Sequence, residues 1–408
     1  MNPDRTRPAS TPAATDRTAA SAMASGHTSN LRRETMSSRR HHGFTLVELL
    51  VVIGIIALLI SILLPSLSKA QRAARAVQCA SNMRSIMQGV LLYAQQYNGA
   101  IPGSPWTSGA HVRAPSEFTR AGRPFIPTGV TTPSTDDNTD GVISMFDWKT
   151  PIAKLIGANF PEGTDGASRQ QRLLQLTEFG IFVCPENQLI AGPFPASADW
   201  PNIRAISYAT NLDFLILPFT TYNGQTPSGA DLGTFVSRPQ WNVPAGYFPR
   251  LNRVGNAARK AYLTEGSRFV TAAGVITYNW RSAEQQQNGG AFSDQRPYVA
   301  FAFNRSKLLP GSYGDPAASD VGVNRSVILT AFRHGATAAN QNINSYRANI
   351  AFFDGHVETL SVMELMNPEF HSPRGTSLEI SPAQVYPRVI QQYFNGQTFV
   401  GANQYILP

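Results

Sequence analysis

The most distinctive pattern along the chain is an almost unbroken apolar run near its N-terminus. Residues Phe44 to Leu64 contain one charged side chain, Glu48, and Pro65 follows the run directly. About 20 apolar residues are enough to cross a bilayer as a helix. A carboxylate inside such a segment is unfavourable in lipid, and those that occur there usually have a function. The pattern therefore predicts a transmembrane or filament-core helix over 44–64 in which Glu48 has a specific role.

Beyond Pro65 the helical pattern continues and becomes amphipathic. Six side chains recur at spacings of three and four residues, which places them on one stripe of a helix: Cys79, Met83, Ile86, Val90, Tyr93 and Tyr97. Asn98-Gly99, followed by Pro102, is a helix stop signal. We therefore expect one long helix from Phe44 to about Asn98, with its amphipathic half, 65–98, packed against a folded head.

The remaining residues, 99–408, predict an α+β head. An insertion at about 103–180 begins with a stretch rich in Pro, Gly, Ser and Thr and ends with a short helix near Phe179. Strands are predicted after it, at Ile181–Cys184, Ala205–Ala209, Phe214–Leu217, Ala261–Thr264, Phe269–Tyr278, Tyr298–Phe303, Val327–Ala331, Asn349–Phe353 and His356–Leu360. A long helix followed by a mostly antiparallel sheet is the α+β order. Between the last two strands, Asp354-Gly355 predicts a hairpin with a two-residue type I′ turn.

The N-terminal residues resemble the start of type IV pilins, a family that includes the pseudopilins of type II secretion. The matching positions are Gly43 before the cleavage point, Phe44 as the first mature residue, Glu48 as the fifth and Pro65 as the twenty-second. The resemblance implies that prepilin peptidase cleaves between Gly43 and Phe44 and methylates the new amine. It also implies assembly with other pilin-like subunits on an inner-membrane platform. The alternatives are a signal anchor and a cleaved secretory signal. The secretory signal fits less well, because the apolar run is too long for it.

Residues 1–43 are then a leader, which we expect to be disordered because it has almost no large apolar residues. Met36 is an alternative start that would leave a short basic leader. Arg39 and Arg40 precede the apolar run, which predicts a single-pass inner-membrane protein with a cytoplasmic N-terminus and a head in the periplasm or on the cell surface. The net charge of +8 comes mostly from the leader and from residues 69–84. No partner of the nucleic-acid class is therefore indicated for the head.

A second resemblance covers scattered positions in the head. Arg333-His334 and the later run Asp354-Gly355-His356 are similar to pilin-like proteins with an H-X9-DG C-terminal region. Nineteen residues separate His334 from Asp354 here, and we interpret the additional residues as a longer loop. The Asp-Gly pair is explained by the hairpin itself. A zinc site formed by His334, His356 and Asp354 is a minor alternative, because these ligand types suit zinc.

The chain has two cysteines, Cys79 and Cys184. A disulfide is permitted if the head is exported to the periplasm. Cys79 lies on the predicted core face of the helix, and Cys184 ends an apolar segment that must pack nearby. We favour a disulfide between them over two separate buried thiols, and spacing alone indicates no metal site.

A candidate calcium loop lies in the insertion. Its oxygen ligands stand at positions 1, 3, 5 and 12, with Gly141 at position 6 and a backbone carbonyl at position 7: Asp136, Asn138, Asp140, Asp147 and the carbonyl of Val142. The spacing resembles EF-hand and dockerin loops, although Asp147 stands where an EF-hand has Glu. The alternative is an acidic surface turn.

The sequence is compatible with three classes of function. The first is a structural subunit of a type II secretion or type IV pilus-like filament, which the N-terminal pattern favours. The second is a pilin-anchored binding module for polysaccharide or DNA, for which the residues would be Trp106, Trp148, Trp200, Trp241 and Trp280. The third is a membrane-anchored enzyme, with Glu265 and the C-terminal histidines as its only candidates. No catalytic motif stands out, so we expect no enzyme.

Overall fold

The computed structural model contains one long helix followed by mixed sheets and short helices. It describes residues 45–104, 146–161, 166–188, 190–194, 198, 200–216, 218, 241–266, 277–279, 293–294, 331–335, 345–382, 385, 387–401 and 403–408. The helices are α1 Leu46–Gln96, α2 Lys149–Leu155, α3 Gly166–Glu178, α4 Val362–Leu365, α5 Pro368–His371 and α6 Pro387–Val389. The strands are β1 Ile190–Phe194, β2 Ile203–Arg204, β3 Tyr208–Asn211, β4 Trp241–Asn242, β5 Ala261–Glu265, β6 Thr277–Asn279, β7 Ser293–Asp294, β8 His334–Gly335, β9 Tyr346–Phe352, β10 Val357–Ser361, β11 Ser377–Glu379 and β12 Gln404–Ile406.

The largest sheet has the strand order β10-β9-β5-β3-β7, and β8 also pairs with β9. All its pairings are antiparallel except that of β3 with β7. Two three-stranded sheets, β2-β1-β6 and β12-β11-β4, accompany it. The α+β fold with a long N-terminal helix and mostly antiparallel strands is therefore confirmed.

The chain divides into two compact units, Met1–Ser61 and Ile62–Pro408, and α1 runs through both. In the first unit the described residues are Thr45 to Ser61, and all of them are exposed. In the second unit Cys79 is the first buried residue of α1. The predicted stripe is buried from Cys79 to Tyr93, and Tyr97 is half-buried just after the helix ends.

The central sheet of the second unit separates two apolar clusters. Alternate side chains of β9 point to opposite faces, as strand geometry requires. On one side Ala351 joins the cluster that contains the α1 stripe, Trp148 and Tyr262. On the other side Ile350 joins a cluster built from the C-terminal segments, with Val389 among its members. Two polar residues at this level of the sheet, Glu265 of β5 and Asn349 of β9, are consequently fully buried.

Several local predictions were wrong. A 3-10 turn, Gly180–Phe182, takes up the first residues of the strand predicted at Ile181–Cys184. Another 3-10 turn, Leu212–Phe214, ends on the first residue of the strand predicted at Phe214–Leu217. Asn82 on α1 explains the first case, because its amide donates to the carbonyls of Gly180 and Val183 at 3.2 and 2.9 Å. A side chain thus satisfies backbone acceptors that a neighbouring strand would otherwise have to satisfy. Strands predicted at 298–303 and 327–330, and most of 269–278, lie outside the described residues.

The hairpin between β9 and β10 exists, but its predicted type I′ turn is wrong. The Phe352 amide donates a hydrogen bond to the His356 carbonyl at 3.0 Å, and three residues, Phe353 to Gly355, lie between these two. Only Gly355 has a positive φ, at 94°, whereas type I′ requires two such residues. The additional residue is Phe353, whose ring is buried against Phe214 with 4.9 Å between ring centroids. Core packing of that ring accounts for the longer turn.

Candidate functional site

Two places in the structure combine unusual chemistry with a defined geometry. The first is the start of α1, where the predicted processing residues lie. The second is a buried group on the α1 side of the central sheet, formed by Cys79, Cys184, Glu265 and His334, which we call the CCEH cluster.

At the start of α1, Thr45 and Glu48 bind each other. The Glu48 carboxylate accepts hydrogen bonds from the Thr45 amide at 2.9 Å and from the Thr45 hydroxyl at 2.7 Å. The Glu48 amide in turn donates to Thr45 Oγ1 at 3.3 Å. This is a capping box, in which the first and fourth residues satisfy each other's backbone donors. The sequence Thr45-Leu-Val-Glu48 carries the signature of this motif, although the prediction for Glu48 did not use it.

The cap fixes the Glu48 carboxylate at the N-terminal end of α1. Gly43 and Phe44 lie outside the described residues. The apolar residues from Leu46 to Leu64 are exposed, and no residue in the most apolar stretch of α1 is buried. Exposed apolar surface of this extent requires lipid or protein partners.

The CCEH cluster brings together residues that are far apart in the sequence. The structure joins Cys79 of α1 to Cys184 in a disulfide across 105 positions. Glu265 ends β5, and His334 begins β8. Their side chains meet with 2.8 Å between His334 Nε2 and Glu265 Oε1. One ligand atom from each of the four residues lies within 4.8 Å of the other three.

Neighbouring polar groups hold the cluster in place. Asn349 Nδ2 donates to Glu265 Oε1 at 3.1 Å, and Thr359 Oγ1 donates to Asn349 Oδ1 at 2.6 Å, which fixes the orientation of the amide. The Cys184 amide donates to Ser207 Oγ at 3.0 Å. Glu265 Oε2 has no hydrogen-bond partner among the described residues. A buried carboxylate oxygen without a partner is destabilising.

Arg333 supplies a buried positive charge beside this cluster. Its guanidinium donates to the carbonyls of Ser207 and Gly266 at 3.0 and 2.6 Å. Burial lowers the pKa of the Arg333 side chain, and the Glu265 carboxylate opposes that shift. Burial likewise raises the pKa of the Tyr208 phenol, and Glu265 raises it further, so Tyr208 is a neutral donor. Its hydroxyl lies 3.4 Å from the carbonyl oxygen of Cys79.

The second family motif does not assemble into one site. In the pairing of β8 with β9, His334 lies opposite Arg347 near the start of β9. Asp354 and Gly355 lie in the turn that follows the other end of β9. His356 instead binds Asp354, with 2.5 Å between Nδ1 and Oδ1, and stacks on Phe352. The minor zinc alternative of His334, His356 and Asp354 is therefore wrong, because β9 separates its members.

One residue of the candidate calcium loop is described. Asp147 is buried and accepts hydrogen bonds from the amides of Lys149 and Thr150, both at 3.0 Å, at the start of α2. It also accepts from the Thr150 hydroxyl at 2.5 Å. Asp136, Asn138, Asp140 and Val142 lie outside the described residues.

The structure describes three of the five tryptophans that were candidates for sugar stacking. Trp148 is fully buried, with its ring 5.6 Å from that of Phe182, and Trp200 is also buried. Neither ring is available to a ligand. Trp106 and Trp280 lie outside the described residues, and Trp241 lies in β4.

Residues 38–64 match the family model described as the prokaryotic N-terminal methylation motif. No curated protein and no solved structure matches the chain significantly. The motif and the adjacent apolar helix are those of a type IV pilin-like protein that prepilin peptidase processes and that is anchored in a membrane.

Proposed function

We propose that this pilin-like protein is a pseudopilin or minor pilin of a type II secretion or type IV pilus-like envelope filament. The observation that carries the proposal is the methylation motif at 38–64, which leads directly into an apolar helix with no buried residue before Cys79. Lipid covers such a helix before assembly, and neighbouring subunits cover it afterwards. The proposed role is structural, not catalytic, with the N-terminus in the cytoplasm and the head outside the inner membrane.

Glu48 has two functions in this proposal. In the isolated chain it caps α1 through Thr45. In a filament its charge would neutralise the methylated amine of Phe44, in the same chain or in a neighbour. An unpaired charge in an apolar filament core is strongly unfavourable. The pairing would therefore fix the register of one subunit against the next.

Glu48→Gln and Glu48→Ala test this role. The amide of Gln still accepts hydrogen bonds from Thr45 but has no charge, whereas Ala removes both the charge and the cap. We expect both variants to be cleaved and inserted normally, and both to be largely lost from the sheared filament fraction. Thr45→Ala is the matched control, because it weakens the cap and keeps the charge. Wild-type incorporation of Glu48→Gln would show that the charge does not direct assembly.

We also propose a calcium ion in the insertion, held by Asp136, Asn138, Asp140, the carbonyl of Val142 and Asp147. Asp147 would then join the loop to α2, whose first amides it already binds.

The calcium proposal is tested on the full-length chain in detergent. Asp136→Ala combined with Asp140→Ala should abolish stabilisation by calcium, which is about 2.7 kcal/mol when free calcium is 100 times the dissociation constant. Asp137→Ala is the matched control, because position 2 of the loop supplies no ligand. The measurement is the melting temperature with calcium and with a chelator. A wild-type chain whose melting temperature is insensitive to millimolar calcium would leave only the surface-turn interpretation.

A further inference from the structure

The CCEH cluster has the composition and the dimensions of a transition-metal site. Thiolate sulfur, imidazole nitrogen and carboxylate oxygen are the protein ligands of zinc, with bonds of about 2.3 Å to sulfur and about 2.0 to 2.2 Å to nitrogen and oxygen. Tetrahedral bonds of these lengths separate the ligand atoms by roughly 3 to 4 Å. The four ligand atoms of the cluster already lie within 4.8 Å of one another. Small side-chain rotations would therefore suffice to enclose one ion.

An independent observation points to a cation at the same place. Glu265 Oε1 accepts the hydrogen bonds of both His334 and Asn349, whereas Oε2 is buried without a hydrogen-bond partner among the described residues. A buried carboxylate oxygen of this kind has lost its hydrogen bonds to water and has formed no others in their place. A metal ion bound between Oε2, the imidazole and the two sulfurs would satisfy it.

The surrounding charges also suit a divalent ion. Two thiolates and one carboxylate around a divalent cation leave one net negative charge, and the buried guanidinium of Arg333 balances it. Asn349 would act as an outer partner that orients the Glu265 carboxylate, with Thr359 behind it. Metal sites usually depend on such outer hydrogen bonds.

We propose that the chain with Cys79 and Cys184 in the dithiol form binds one zinc-class divalent ion through these two sulfurs, His334 Nε2 and Glu265. Disulfide formation excludes the ion, because it converts two ligands into a bonded pair. The disulfide and the metal are then alternative cross-links of the same position. The disulfide ties α1 to the segment before β1, and the metal would also tie α1 to β5 and β8.

Reduction of the disulfide precedes metal binding. A dithiol reductant supplies two electrons and two protons, the S–S bond breaks, and the reductant becomes a disulfide. Metal binding then releases the two thiol protons to water. The proton that His334 Nε2 donates to Glu265 in the oxidised chain moves to Nδ1 through water, so that the neutral ring binds the ion through the Nε2 lone pair.

The test uses the full-length chain in detergent, with cobalt(II) as a probe that zinc displaces. One portion is reduced with a phosphine and another is kept oxidised, and both are shown to be folded by circular dichroism. After incubation and desalting, the reduced chain should retain one cobalt per chain and show thiolate-to-cobalt charge-transfer absorption. The oxidised chain should retain none. A folded, reduced chain that retains no more cobalt than the oxidised chain would overturn the proposal.

Variants identify the ligands independently of that comparison. Asn349→Ala should weaken cobalt binding by about 10- to 100-fold, the usual effect of losing an outer-shell partner. His334→Gln and Glu265→Gln should weaken it at least as much. His356→Gln is the matched control, because this half-buried histidine contacts Asp354 and not the cluster. Cobalt binding that survives His334→Gln unchanged, or that lacks the charge-transfer absorption, would place the ion elsewhere and refute the site.

Discussion

Replacing Gly43 with Leu should leave the chain as an uncleaved precursor that remains in the membrane. In the pilin-type interpretation the residue before the cut must be small, because the peptidase has to approach the backbone between Gly43 and Phe44. A Leu side chain obstructs that approach. It does not alter the apolar helix that follows, so membrane insertion should continue. We expect an almost complete loss of processing, visible as retention of the leader mass and as absence of the methylated amine at Phe44.

Gly54 provides a matched control within the same segment. A side chain at Gly54 would meet nothing within 4 Å in the structure, and the position lies eleven residues beyond the cleavage point. Gly54→Leu should therefore be cleaved and methylated like the wild type. Normal cleavage of the Gly43→Leu chain would remove the basis for the pilin interpretation, because the motif would then not direct processing.

The long helix and its core stripe could be predicted because both depend on local periodicity. Cys79, Met83 and Ile86 lie on one face whatever they pack against, so their spacing alone places them together. The strands β5 and β9 were predicted for a similar reason, because their residues are apolar and bounded by turns. The capping box of Thr45 and Glu48 was equally visible in the sequence.

The features that were missed depend on tertiary partners. The segment 181–184 is as apolar as a strand, yet Asn82 on α1 binds its neighbouring carbonyls and a 3-10 turn results. The turn after β9 is longer than its Asp-Gly pair predicts because Phe353 is buried. Neither the hydrogen bonds of Asn82 nor the burial of Phe353 can be predicted from the local sequence pattern.

The CCEH cluster could not be predicted for the same reason. His334 and Glu265 are 69 positions apart. They meet because β5 and β8 pair with successive stretches of the same edge of β9, whose other edge pairs with β10. That register is set by the packing of the whole sheet. From the sequence, Glu265 was a candidate only for a membrane-anchored enzyme. His334 was assigned to the H-X9-DG motif, whose other members, Asp354 and Gly355, lie in the turn after β9.

Opening the Cys79–Cys184 disulfide should lower the free energy of unfolding of the second unit by about 4 to 5 kcal/mol. The bridge spans 105 positions, and a cross-link over a loop of that length removes this much chain entropy from the unfolded state. Both sulfurs are fully buried, so the native packing can persist after reduction. A loss of this size corresponds to a decrease in melting temperature on the order of 10 °C. The measurement compares oxidised and phosphine-reduced chains in detergent with a chelator present, so that no metal replaces the bridge.

A variant with Cys79→Ala and Cys184→Ala separates the cross-link from the packing of the sulfur atoms. It should melt at or slightly below the reduced wild type, because it loses the same restraint and also leaves two small cavities. It should not respond to reductant, whereas the oxidised wild type should. Equal melting temperatures for oxidised and reduced wild type would mean that the bridge does not restrain the unfolded chain. Two free thiols in the chain isolated from its native membrane, detected by mass analysis without reductant, would mean that the dithiol form of the CCEH cluster is the one the cell maintains.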